Sequence, residues 1–159
     1  MALKLPRCAR CSAATELKTL PSVFGEDGPL KLTLLQLPVF ACAKDHNAPV
    51  HGDFMIWLIQ QVRERETGIP AGKEEGILFK KRRCGECGKE LGAKPERRQV
   101  FAFELMYEEL APFSLQVEMP LYTCSGCRKE QIRSTKDLHG YVPGAIVGIN
   151  DNAGFPHSG

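Results

Sequence analysis

Alternation of apolar and polar positions is the most regular feature of the chain. Phe101, Phe103, Leu105 and Tyr107 alternate with Ala102, Glu104, Met106 and Glu108. After a turn near Ala111-Pro112 the alternation resumes with Phe113, Leu115, Val117, Met119 and Leu121. A period of two places every second side chain on one face, so these stretches predict two strands joined as a hairpin. An earlier pair, 17–24 and 30–40, flanks Gly25-Glu26-Asp27-Gly28-Pro29 and predicts another hairpin around a glycine-rich loop. Its second strand aligns with the later one: Leu35, Leu37 and Val39 match Val117, Met119 and Leu121. Pro38 and Pro120 then share an outward position, where a residue without an N–H suits a strand edge.

Helical signals follow each hairpin. Residues 53–66 read as a helix that opens on Phe54-Met55-Ile56-Trp57-Leu58-Ile59 and stops at Thr67-Gly68-Ile69-Pro70. An opening apolar all round cannot lie as a one-sided surface helix, so it is expected to pack between the two parts of the chain. A weaker helix is predicted over 144–153, stopping at Gly154-Phe155-Pro156. His51-Gly52 and His139-Gly140 stand before the two helical segments. The economical account is a duplicated unit, of roughly 65–75 residues, covering 1–70 and 84–156. Residues 71–83, with charge and little periodicity, read as the linker.

Composition narrows the class. A length of 159 residues suits one ordinary domain or two very small ones. The longest apolar run is far short of the roughly 20 residues that span a bilayer, so no membrane association is expected. A net charge of +2 argues against an obligate nucleic-acid coat. Met1-Ala2-Leu3-Lys4-Leu5-Pro6-Arg7 lacks the apolar stretch of a secretory signal, so the expected compartment is the cytoplasm. There, closely paired cysteines bind metal or do redox chemistry more often than they form disulfides.

The seven cysteines make that chemistry specific. Cys8/Cys11, Cys84/Cys87 and Cys124/Cys127 are three C-x-x-C pairs, and Cys42 is followed by His46. In order they give two sets of four soft ligands: Cys8, Cys11, Cys42, His46, and Cys84, Cys87, Cys124, Cys127. Four such ligands close a tetrahedral structural zinc site, so two Zn2+ ions are expected. The fourth ligand of the first set has rivals, since Asp45 stands in strict register with Cys127 and His51 lies nearby. Iron would suit the second set, and thiol redox chemistry remains an alternative for the pairs.

This arrangement resembles the zinc-ribbon group of folds, in which two knuckles at one hairpin clamp one zinc. Pro120-Leu121-Tyr122-Thr123-Cys124-Ser125-Gly126-Cys127 is similar to the knuckle entry in the zinc-binding halves of some bacterial antitoxin-type regulators. Those regulators carry a following helix-turn-helix domain, and this chain has no three-helix pattern. The expected fold is α+β: two tandem zinc-ribbon-like antiparallel units, each followed by a short helix.

No catalytic fingerprint of hydrolase, nucleotide-binding or dinucleotide-binding type is present, and both ligand sets look closed. The expected role is a non-enzymatic protein-interaction module or accessory subunit, with no small-molecule substrate evident. The alternative is nucleic-acid binding through the basic stretch 80–98, which opens with Lys80, Lys81, Arg82 and Arg83. From Lys73 to Arg98 there are nine basic and five acidic residues, a patch that could equally be a solvated surface.

Overall fold

Two long hairpins supply most of the sheet. The computed structural model describes residues 4–76, 81–108 and 110–156. Its strands are β1 (Thr15–Asp27), β2 (Leu30–Cys42), β3 (Asn47–Pro49), β4 (Lys73–Glu75), β5 (Lys81–Arg83), β6 (Arg97–Leu105), β7 (Phe113–Thr123) and β8 (Glu130–Gln131). The helices are α1 (Phe54–Arg65) and α2 (Thr135–Ala153), with a 3-10 turn at Glu66–Gly68 after α1. The fold is α+β with mostly antiparallel pairing. Neither helix is long and apolar enough to cross a membrane.

The order of the main sheet is β1-β2-β7-β6, with β3 added to β2 and β8 to β7. The hairpins meet through β2 and β7, whose antiparallel register sets Lys31 opposite Glu118 and Leu34 opposite Leu115. Because β2 and β7 run in opposite directions, the chain segments following Cys42 and Thr123 leave the sheet at opposite ends. Residues 71–83, read as a linker, carry the small β4–β5 ladder, and Ala71 bridges Ile132 just before α2.

Alternation holds along β7, where Phe113, Leu115, Val117, Met119 and Leu121 are all buried. Along β2 it changes phase. Leu30, Leu32 and Leu34 face the core, then Leu37 and Val39, while Leu35 turns away. The switch sits at Gln36, which has φ +61°, opposite the Pro21 segment of β1. The expected inward Leu35 is therefore incorrect, because one left-handed residue rotates every side chain before it to the other face. Pro120, expected outward, is buried.

Both helices pack against one continuous core that includes Leu34, Leu58, Leu115, Leu138 and Ile146. Trp57 of α1 lies against Phe113 of β7 and Tyr107, and Phe54 meets Phe155 edge-on at 5.3 Å. Thus the helix that follows the first hairpin covers the turn end of the second. Conversely, α2 follows the second hairpin and lies on β1 and β2 of the first. Its backbone comes so close that a Cβ on Gly25 would collide with the Ala145 carbonyl, and a Cβ on Gly148 would stand 3.0 Å from the Gly25 Cα. At Gly25 only glycine admits that approach, and a side chain at Gly148 would require the strand to give by a few tenths of an ångström.

The second helix is nine residues longer at its N-terminus than expected, and His139-Gly140 lies inside it. Ser134 caps it, its hydroxyl accepting from the Asp137 N–H at 3.1 Å. Leu138, Val142, Ala145, Ile146 and Ile149 form the buried stripe. Pro143 and the glycines at 140, 144 and 148 depress helix propensity, and packing against the sheet overrides them.

Candidate metal centres

Three of the four knuckles share one backbone turn. In each, the residue two beyond the leading cysteine donates its N–H to that cysteine's sulfur: Arg10 to Cys8, Glu86 to Cys84 and Gly126 to Cys124, all at 3.4 Å. The residue four beyond donates to the leading carbonyl, from Ser12 at 2.8 Å, Gly88 at 3.1 Å and Arg128 at 2.9 Å. That fourth residue is left-handed in every case, with φ of +60°, +77° and +66°. The turn points both sulfurs of the pair to the same side and offers amide dipoles to the thiolate.

The fourth knuckle is one residue shorter. Asp45 N–H donates to the Cys42 carbonyl at 2.9 Å, Asp45 takes the left-handed position at φ +60°, and the Cys42 N–H returns to the His46 carbonyl at 3.3 Å. Shortening the turn moves the ligand from the third to the fourth position after the cysteine. His46 Nδ1 reaches Cys8 Sγ at 3.5 Å, and Cys11 Sγ lies 3.7 Å from Cys42 Sγ. Asp45 points instead to Lys18 at 3.7 Å and is exposed. His51 stacks on Trp57 and accepts from the Asp53 N–H at 3.0 Å. Of the three rivals for the first set, His46 is the residue brought to the cysteines.

In each set the four donor atoms lie within 4.8 Å of one another, so each can hold one metal ion. A tetrahedron with metal–sulfur bonds of about 2.3 Å has edges of about 3.8 Å. The second set shows Cys84–Cys127 at 3.6 Å and Cys87–Cys124 at 3.3 Å, slightly contracted from that figure. Cys8, Cys42, Cys84 and Cys124 are buried, whereas Cys87 and Cys127 reach solvent.

Acidity differs within the sets. The Cys87 backbone N–H and then the Gln131 amide pull the Cys84 thiol down to about 6. Burial opposes ionisation of Cys42, yet the backbone N–H groups of His46 and Lys44 bring it down to about 7. The Lys129 N–H favours the Cys127 thiolate, but hydrogen bonding with Cys84, burial and the neighbouring thiols push Cys127 up to about 11. Opposite shifts on neighbouring thiols of one set are what like-charge crowding produces.

Gln131, which sequence reading passed over, is fully buried beside the second set. Its Nε2 donates to Cys84 Sγ at 3.2 Å and to the Lys129 carbonyl at 3.3 Å, and its Oε1 accepts from the Gly85 N–H at 2.9 Å. It joins the strand after one knuckle to the turn of the other.

The basic stretch is largely neutralised within the molecule. Arg82 pairs with Glu74 at 3.4 Å and Asp137 at 3.0 Å, Arg83 with Glu75, Arg97 with Glu130, and Arg98 with Glu118. Arg82 and Arg83 are partly buried and Lys81 is exposed. Lys80 lies outside the described residues.

The chain matches no protein-family model, no curated protein and no solved structure.

Proposed function

We propose that the chain is a zinc-binding, non-enzymatic cytoplasmic protein made of two tandem zinc-ribbon-like units, serving as a protein-interaction module or accessory subunit. The reading is carried by the two four-donor clusters, each built across the open end of one hairpin. The succession of knuckle, hairpin, knuckle, short strand and helix occurs twice, which favours duplication. Zinc accepts both a four-cysteine and a three-cysteine, one-histidine set, whereas iron–sulfur chemistry suits only the second. Each set fills four positions and leaves none open for substrate, which favours a structural over a catalytic ion.

A protein partner is favoured over nucleic acid because Arg82, Arg83, Arg97 and Arg98 already face carboxylates. Exposed apolar side chains are available for such a partner at Ile56 and Met106, both 60% exposed, and at Phe24 and Val100. Elemental analysis of the freshly purified chain should find two zinc ions per molecule, and one or none would overturn the reading. A shift assay with DNA and RNA should show no binding at physiological salt. Submicromolar, salt-sensitive binding would replace the interaction module with the nucleic-acid alternative.

A further inference from the structure

A cavity of about 280 Å³ lined by none of the eight donors lies between the β1–β2 turn, β5, β7 and the first turns of α2. Its lining comprises Pro29, Met119, Pro120, Tyr122 and Tyr141 together with Arg82, Arg133 and Asp137. The apolar and aromatic part makes a wall, and the charged part gathers at one side of the chain's α2 entrance.

The two arginines are not equally engaged. Arg82 gives its Nη atoms to Glu74 and Asp137. Arg133 forms no ion pair among the described residues, and its guanidinium sits 5.5 Å from the centre of the Tyr122 ring. The Arg133 side chain also makes no hydrogen bond among the described residues. Arg133 thus brings to the cavity wall a guanidinium with no carboxylate partner among the described residues, and such a charge calls for an acceptor.

We propose that this cavity binds a small carboxylate with an apolar or aromatic body. The fork of N–H donors on the Arg133 guanidinium matches two carboxylate oxygens, and charge-assisted bonds of this kind are about twice as strong as neutral ones. Met119, Pro120 and the two tyrosines take the body. Phosphate fits less well: a dianion would meet Asp137, and the apolar wall would leave its remaining oxygens without donors. The volume suits a molecule at the small end of ligand sites.

NMR titration of the metal-loaded full chain with benzoate tests this. Saturable shifts are expected at Tyr122, Arg133, Asp137 and Tyr141, with none from benzamide at equal concentration. Arg133→Met should weaken benzoate roughly tenfold or more while leaving metal content and the rest of the spectrum unchanged. Arg133→Lys should also weaken it, because an ammonium cannot reproduce the guanidinium fork. If Arg133→Met disturbs folding, Arg133→Lys and Tyr141→Leu decide the matter. Absence of saturable benzoate shifts, equal binding of benzamide, unchanged affinity in the arginine variants, or tighter binding of inorganic phosphate would each overturn the proposal.

Discussion

The two ligand sets sit at corresponding corners of similar hairpins, yet they are held differently. The first closes on a shortened turn and a histidine, and among the described residues no side-chain amide supports its sulfurs. The second closes on two matching turns and four thiols, and Gln131 ties Cys84 to the opposite knuckle from within the core. Backbone turns alone are therefore enough to gather four donors. The neighbouring side chains then set how firmly each set keeps its protons and its ion.

The sharpest way to break this comparison is to remove one sulfur from each side. Cys42→Ser and Cys84→Ser should each reduce two bound metals to one, read by elemental analysis. Each should also erase native NMR dispersion around its own knuckles, because structural zinc contributes on the order of 10 kcal/mol of folding energy in small domains. Retention of both metals in either variant would show that three donors suffice there.

His46 is the next test. His46→Ala should release the first metal and leave the second in place, whereas His51→Ala should leave both. Cobalt substitution distinguishes the sets, since losing a nitrogen ligand alters the visible spectrum of the first site alone. Release by His51→Ala would move the ligand assignment.

Acidification sharpens the same contrast. The Cys84 and Cys42 thiols are held below their ordinary value near 9, at about 6 and about 7. For a depressed thiol the stabilisation is complete above the ordinary value and is lost as pH falls through the depressed one. The first set should therefore surrender its ion at higher pH than the second, followed through thiolate-to-cobalt absorption. Gln131→Leu removes the amide from Cys84 and should move second-site release upward toward the first, with a loss of roughly tenfold or more in affinity. Simultaneous release in the unaltered protein would show that Gln131 does not distinguish the sites.

The smallest expected effects lie in the turns. Ser12 and Arg128 adopt the left-handed backbone that Gly88 adopts in the equivalent place. Ser12→Gly and Arg128→Gly should each stabilise the loaded protein by about 1 kcal/mol, and Gly88→Ala should destabilise it similarly, measured by denaturant unfolding. Equal and opposite signs would confirm that the three turns are strained alike.

Much of this was legible in residue order. Three C-x-x-C pairs exposed seven of the eight donors once Cys42 was added, and alternation located both hairpins. His46 stayed ambiguous because register with Cys127 points to Asp45, and only the shortened turn resolves it. The phase change at Gln36 was hidden because its leucine-rich flanks look apolar in either phase. Pro143 and its neighbouring glycines masked most of α2, whose helix depends on packing against distant strands. Gln131 carried no local signal at all, since its bond to Cys84 spans 47 positions.

The exchange of helices between hairpins also governs the order of events during synthesis. All four donors of the first set are made by residue 46, so that knuckle pair has its ligands early. The helix that covers β1 comes much later: Asn152 reaches back to the Phe24 carbonyl across 128 positions. Until then Val23, Leu32 and Leu34 lack their lid, and the nascent chain presents an apolar sheet beside an already complete metal knuckle. Chains ending before Thr135 hold all eight donors and should accordingly take up two metals while still binding a hydrophobic dye. The last helix, not the last metal, would then close the molecule.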